Sequence, residues 1–195
     1  VLSDVVEQSF NRICVDNDMS TNDTVLCLAN GAAGLPALEA NPDDFRIFEQ
    51  TLGQVCIGLA QALVRDGEGA TKFVEILVEG AASDEDAQRI ARSVATSQLC
   101  KTAFFGSDPN WGRIACAAGY AQAEFSADDL CIWLDGVEVV RGGVPTDYAE
   151  SEAAAVMQQP EFGVHLRVGE GAGRCRFWTS DLSHDYVSIN ADYRT

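Results

Sequence analysis

Phe73-Val74-Glu75-Ile76-Leu77-Val78-Glu79-Gly80, running into Ala81-Ala82-Ser83-Asp84-Glu85-Asp86, joins a strand to a helix start. Val74, Ile76 and Val78 alternate with Phe73, Glu75, Leu77 and Glu79, the period-two pattern of a strand with one clearly apolar face. Ser83 followed by three acids is a capping-box-like start, and Ala87, Ile90, Ala91, Val94 and Ala95 recur at helical spacing behind it. A strand feeding a helix with a buried stripe predicts an α/β (α+β) fold.

Upstream, Asn41-Pro42-Asp43-Asp44 places a cap, a first-turn proline and two acids facing the helix dipole. The long helix this opens has Phe45, Phe48, Leu52, Val55, Cys56, Leu59 and Leu63 on one face and ends at Gly67-Glu68-Gly69. There the two glycines permit turns that leave Glu68 projecting between them. Nearer the start, Leu2, Val5, Val6, Ser9 and Phe10 fall at helical spacing, and strands are expected around 11–15 and 24–29. Between those strands lies a dense polar loop, Asp16-Asn17-Asp18-Met19-Ser20-Thr21-Asn22-Asp23, whose side chains bond neighbouring amides. Its first residues resemble a calcium loop, but Thr21 stands where that loop requires Gly, so calcium is rejected.

Downstream, a short strand is expected over 102–105, and Asp108-Pro109 reads as another cap and first helical residue. The helix they begin is lined by Ala115-Cys116-Ala117-Ala118-Gly119, while Trp111 and Arg113 either flank a ligand or lock elements together. Asp135-Gly136 joins two apolar runs as a hairpin, and 146–158 reads as a helix. Phe162 to Val168 alternates and places His165 on a polar sheet face beside Arg167. Gly169-Glu170-Gly171-Ala172-Gly173 lacks the Lys-Ser/Thr of a phosphate loop and is read as the hairpin turn to a strand over 174–181.

The net charge of −17, from 30 acidic and 13 basic residues, opposes binding to nucleic acid or to an anionic membrane. No apolar run is read as approaching the length of a membrane span, the longest candidates being interrupted by charge within a few residues. The 7 cysteines form no C-x-x-C pair, so neither a zinc site nor a disulfide framework is indicated. Apolar neighbours around Cys14, Cys27, Cys56, Cys116 and Cys131 predict small buried hydrophobes in a reducing compartment. With 2 histidines and no nucleophile elbow, the residues alone hold no self-contained catalytic constellation, which keeps a binding or structural subunit open as a reading.

Four stretches in order carry a family resemblance: Ser9 to Gly31, Asp66-Gly67-Glu68-Gly69-Ala70-Thr71-Lys72, Asp108-Pro109-Asn110-Trp111-Gly112-Arg113-Ile114, and Asp181 to Thr195. Together they resemble the β chain of glutamate N-acetyltransferase, the ornithine acetyltransferase family, which self-cleaves to expose an N-terminal Thr nucleophile. The resemblance implies a layered α-β-β-α sandwich of the DmpA/ArgJ-like type with a smaller C-terminal α/β lobe. The expected main lobe is 1–80, with the tail 186–195 returning to it, and the C-terminal lobe is 81–185. It further implies acetyl transfer from N2-acetylornithine to glutamate, no resident cofactor or metal, and acetyl-CoA as a possible co-substrate.

By the same resemblance Glu68, Asn190 and Thr195 bind substrate, and an α chain from the same precursor completes an α2β2 heterotetramer. The chain opens at Val1 without a candidate Thr, so the nucleophile is expected upstream. A self-processed aminopeptidase shares the nucleophile logic and remains the alternative enzyme. The compartment is expected to be the cytoplasm in a bacterium, or the plastid stroma or mitochondrial matrix in a eukaryote.

Overall fold

The computed structural model describes residues 1–34, 36–37 and 40–192. Its elements in order are α1 (Leu2–Glu7), β1 (Ile13–Cys14), α2 (Pro42–Arg65), β2 (Phe73–Ala81), α3 (Asp84–Thr96), α4 (Gln98–Phe105) and α5 (Trp111–Gly119). There follow β3 (Cys131–Leu134), β4 (Val137–Arg141), β5 (Val144–Pro145), α6 (Glu150–Met157), β6 (Glu161–Arg167), β7 (Gly173–Ser180) and α7 (His184–Asp192). The seven strands of the described residues form one sheet in the order β1-β7-β2-β6-β3-β4-β5, and the α/β class expected from sequence is borne out.

β2 is central. It runs parallel to β6 and antiparallel to β7, with Ile76 opposite Val164 on one side and Phe177 on the other. Its apolar face, Val74, Ile76 and Val78, packs into a core with Ala87, Ile90, Ala91 and Val94 of α3 and Ile114 and Ala117 of α5. On the opposite face Val64 of α2 meets Phe73 and Trp178 in a smaller cluster with Ile13 and Ile57. The expected lobe boundary at residue 80 falls inside β2, so a single sheet continues across it.

Two of the caps read from sequence are formed: Asn41 accepts from the Asp43 amide and Ser83 from the Asp86 amide. The third is corrected: Asn110 rather than Asp108 caps α5, accepting from the Arg113 amide, and Pro109 precedes the helix. Arg113 donates to the Leu99 carbonyl (2.9 Å) and to Thr102 Oγ1 (3.3 Å), so it locks α5 to α4.

Several expectations are corrected. Residues 102–105 belong to helix α4 rather than a strand, because Ser97 caps it and Cys100, Ala103 and Phe104 bury a helical stripe. The first predicted strand shrinks to Ile13–Cys14, and residues 24–29 form none; Leu26 and Leu28 are 76% and 92% exposed. Cys27 and Cys116 are exposed, against the prediction of burial, whereas Cys14, Cys56 and Cys131 are buried as expected. The glycine stretch 169–173 is no hairpin: β6 and β7 lie on opposite sides of β2, and the loop crosses its end. There the backbones of Gly80 and Gly169 meet so closely that a Cβ at Gly80, whose φ is +80°, would stand 2.2 Å from the Gly169 carbonyl oxygen.

The reading that charge interrupts every apolar run is also corrected. By length and composition α2 is long and apolar enough to cross a membrane, since no charge falls between Glu49 and Arg65. Only Cys56, Ala60 and Val64 of this helix are buried on protein, and Ile47, Val55, Leu59 and Leu63 are more than half exposed.

Candidate functional site

Glu68 sits in the turn between α2 and β2, and Asn190 lies on α7, the last described element. Although 122 residues apart, they meet: Asn190 Nδ2 donates to Glu68 Oε2 at 3.0 Å. The same amide also donates to the Tyr186 carbonyl one helical turn earlier (3.0 Å), which fixes its rotamer and leaves its oxygen free of these two bonds. Thr195, the third residue expected here, lies outside the described residues.

Three further groups complete the cluster. Tyr186 OH donates to Asp16 Oδ2 at 3.1 Å, tying α7 to the loop after β1. Burial, then the hydrogen bond and charge of Asp16, raise the Tyr186 phenol above its ordinary pKa, so it stays a donor at neutral pH. Ser183 Oγ donates to the Gly69 carbonyl (2.6 Å) and accepts from the Tyr186 amide (3.3 Å), capping α7 while gripping the turn that carries Glu68.

Beneath this cluster lies a polar layer. Asp181, 4% exposed, accepts from Thr71 and Lys72, and Lys101, 3% exposed, donates through Nζ to Thr179 Oγ1 (3.1 Å), to the Ser180 carbonyl and to Ser180 Oγ (3.3 Å). Burial pushes the Lys101 ammonium down to about 8, against the opposing pull of Cys14, Asp181 and Asp16. Lys72 Nζ reaches Ser107 Oγ (2.9 Å) and the Met157 carbonyl, and burial lowers its pKa also.

Sequence reading missed Asp16, Tyr186, Ser183, Asp181 and Lys101. Only Tyr186 carried a local signal, its four-residue spacing from Asn190 once the tail is helical; the others act across distant segments. His165 stacks on Trp133 with ring centroids 4.8 Å apart, and its Nε2 lies 3.1 Å from Glu79 without hydrogen-bond alignment. It is therefore half-buried on the sheet face rather than freely solvated. No group of three or more His, Cys, Asp or Glu placed to hold a metal occurs among the described residues.

The arrangement offers a carboxylate, an amide and a phenol on one open face, suited to a small polar ligand with a cationic end. Asn190 supplies a carbonyl oxygen for an N–H, and Glu68 supplies a charge for an ammonium.

Residues 1–195 match the ArgJ family throughout. The chain is 50% identical over 195 residues to the arginine biosynthesis bifunctional protein ArgJ of Syntrophotalea carbinolica, covering 100% of this chain and 50% of that protein. It is 51% identical over 190 residues to the Geobacter sulfurreducens protein of the same name, covering 97% and 48%. It is 42% identical over 201 residues to the mitochondrial ArgJ of Yarrowia lipolytica, covering 100% and 47%. The crystal structure of the Bacillus halodurans ArgJ superposes with a TM-score of 0.93 at 39% identity, over 98% of this chain and 91% of that one. The chain spans about half the length of the curated relatives it matches.

Proposed function

Because the chain belongs to the ArgJ family, we propose that it forms the β-chain half of a glutamate N-acetyltransferase, which moves an acetyl group from N2-acetylornithine to glutamate in cyclic arginine biosynthesis. The observation that carries this reading is the 3.0 Å contact of Glu68 with Asn190, which joins two of the residues expected to bind substrate.

The chemistry is acyl transfer through a threonine ester. The Thr hydroxyl attacks the acetyl carbonyl while its own α-amine takes the proton; the C–N bond to ornithine breaks and the leaving amine is protonated. Glutamate's amine then attacks the ester, releasing N-acetylglutamate and restoring the hydroxyl. Oxyanion-stabilising donors come from the α chain. In this chain Glu68 and Asn190 hold the amino-acid portion of the substrate, joined by Thr195.

The partner reading rests on exposed apolar surface. Along α2, Ile47, Val55, Leu59 and Leu63 are 53–55% exposed, and Val187 and Ile189 of α7 are 60% and 42% exposed beside the site. An apolar stripe of this length needs cover. An α chain from the same precursor, in an α2β2 assembly, provides it. The word bifunctional in the relatives' names favours acetyl-CoA as a second acetyl donor. The compartment is the cytoplasm of a bacterium, or an organelle matrix or stroma in a eukaryote.

The test is steady-state kinetics of the intact enzyme with N-acetylornithine and glutamate both varied. Parallel double-reciprocal lines are expected, because a covalent acetyl-enzyme separates the two half-reactions. Intersecting lines, or no N-acetylglutamate at all, would overturn the reading.

A further inference from the structure

The loop 66–72 carries Glu68, and two grips hold it against α7. The first is Asp181. Its Oδ1 accepts from the amides of Thr71 (2.8 Å) and Lys72 (2.9 Å), and its Oδ2 from Thr71 Oγ1 (2.5 Å). The second is Ser183, bonded to the carbonyl of Gly69, the residue after Glu68. Gly69 has φ +67°, and a Cβ there would lie 2.4 Å from the Tyr186 amide nitrogen, so the start of α7 presses directly on the loop.

Asp181 is an uneconomical choice for mere strand termination. It is buried, and none of the ion pairs within 4 Å among the described residues includes it. A buried carboxylate carries a desolvation cost that a neutral side chain would avoid, even with the Lys72 and Lys101 ammoniums near enough to feel its charge. What it gains is the strength of charge-assisted bonds from two consecutive amides and a hydroxyl, on Thr71 and Lys72 of the loop that carries Glu68. The chain also secures Asp181 from behind. Lys101 donates to Ser180 on one side of it, and the Lys101 carbonyl accepts from the Leu182 amide (3.2 Å) on the other.

We propose that Asp181 is a positioning residue of the substrate site: it sets the Glu68 loop at the height where Glu68 and Asn190 meet the side-chain ammonium end of the substrate. The proposal deepens the acetyltransferase reading and rests on it for the identity of that substrate. Asp181 touches no substrate itself. It acts through Glu68, so its effect must vanish when Glu68 can no longer bind a cation.

The experiment compares intact wild-type enzyme with Asp181→Asn, Glu68→Gln and the double variant. Each single change is expected to raise KM for N-acetylornithine about tenfold with kcat within about twofold, and the double to be no worse than the poorer single. Thr71→Val, which removes one of the three bonds and leaves the carboxylate in place, is expected to raise KM about threefold and serves if Asp181→Asn does not fold. Unaltered KM in Asp181→Asn and Thr71→Val, or single effects that multiply to about a hundredfold in the double, would overturn the proposal. Hydrogen exchange on the substrate-free enzyme supplies a readout independent of the reaction: amides of 187–190 should exchange faster in Asp181→Asn, while those of β6 should not. If wild-type enzyme transfers no acetyl group yet α7 loosens in this selective way, the acetyltransferase reading fails and the positioning role stands; equal loosening of β6 and α7 sinks the positioning role.

Discussion

Lys101 shows what one buried charge does to the pH dependence of this fold. The residue is 3% exposed, and desolvation brings its pKa from 10.5 to about 8 in the folded chain. Below pH 8 both folded and unfolded states hold the proton, and the cost of burying the charge is fully present. Between pH 8 and 10.5 the unfolded chain binds the proton more tightly than the folded one, so stability rises with pH. The full change is about 3 kcal/mol. The groups facing the amine are Cys14 from β1, Asp16 from the following loop and Asp181 after β7, and all three oppose the shift. Lys101→Met removes the titration and leaves these groups, so the stability difference between wild type and variant should move about 3 kcal/mol in favour of wild type from pH 7 to pH 11, read by urea unfolding. A difference that stays flat across that range would show that Lys101 does not enter the fold as a desolvated cation.

At the scale of elements, the glycine crossover makes an equally sharp prediction. Gly171 stands over the end of β2, where a Cβ would lie 2.0 Å from the Ala81 carbonyl oxygen. Backbone on both sides leaves no flexible side chain to yield, so Gly171→Ala should destabilise by about 1–3 kcal/mol or more. A thermal midpoint equal to wild type would contradict the crossover. The same loop explains what was legible in the sequence. Alternation in 73–79 and 162–168 identified strands and their buried faces, because side-chain period is local; it is silent on which strand lies beside which, and hence on β2 lying between β6 and β7. Helices α2 and α3 were legible because cap and periodicity coincide in each, whereas the start of α5 was read at Asp108 although Asn110 caps it. α4 was misread because Thr102, Phe104 and Phe105 favour strands, while the Ser97 cap that overrides them lies outside that short run. In the site, Glu68 and Asn190 were reached through resemblance, and Asp181 and Lys101 belong to no local pattern: their partners are 78 to 110 residues away.

At the scale of the whole molecule, the sheet's principal core is closed by α3 and α5, whereas α2 covers the other face only at Val64 and its neighbours. Val55, Leu59 and Leu63, each a little over half exposed, face away from this chain. Their apolar area contributes little to the fold of this chain but would contribute to association when covered, at roughly 25 cal/mol per Å² before the costs of binding. These two roles separate experimentally. Leu59→Glu should leave the thermal midpoint of this chain within the range of an ordinary surface change, about 0.5 kcal/mol, because the site is already solvated. In the intact enzyme the same change places an unpaired carboxylate in the covered stripe, and a cost above 1.4 kcal/mol would weaken association at least about tenfold. Light scattering on size-exclusion fractions should then show the complex dissociating at concentrations where wild type remains assembled. A variant that stays assembled through the same dilution would place the α chain elsewhere and leave the stripe on α2 without the occupant proposed for it.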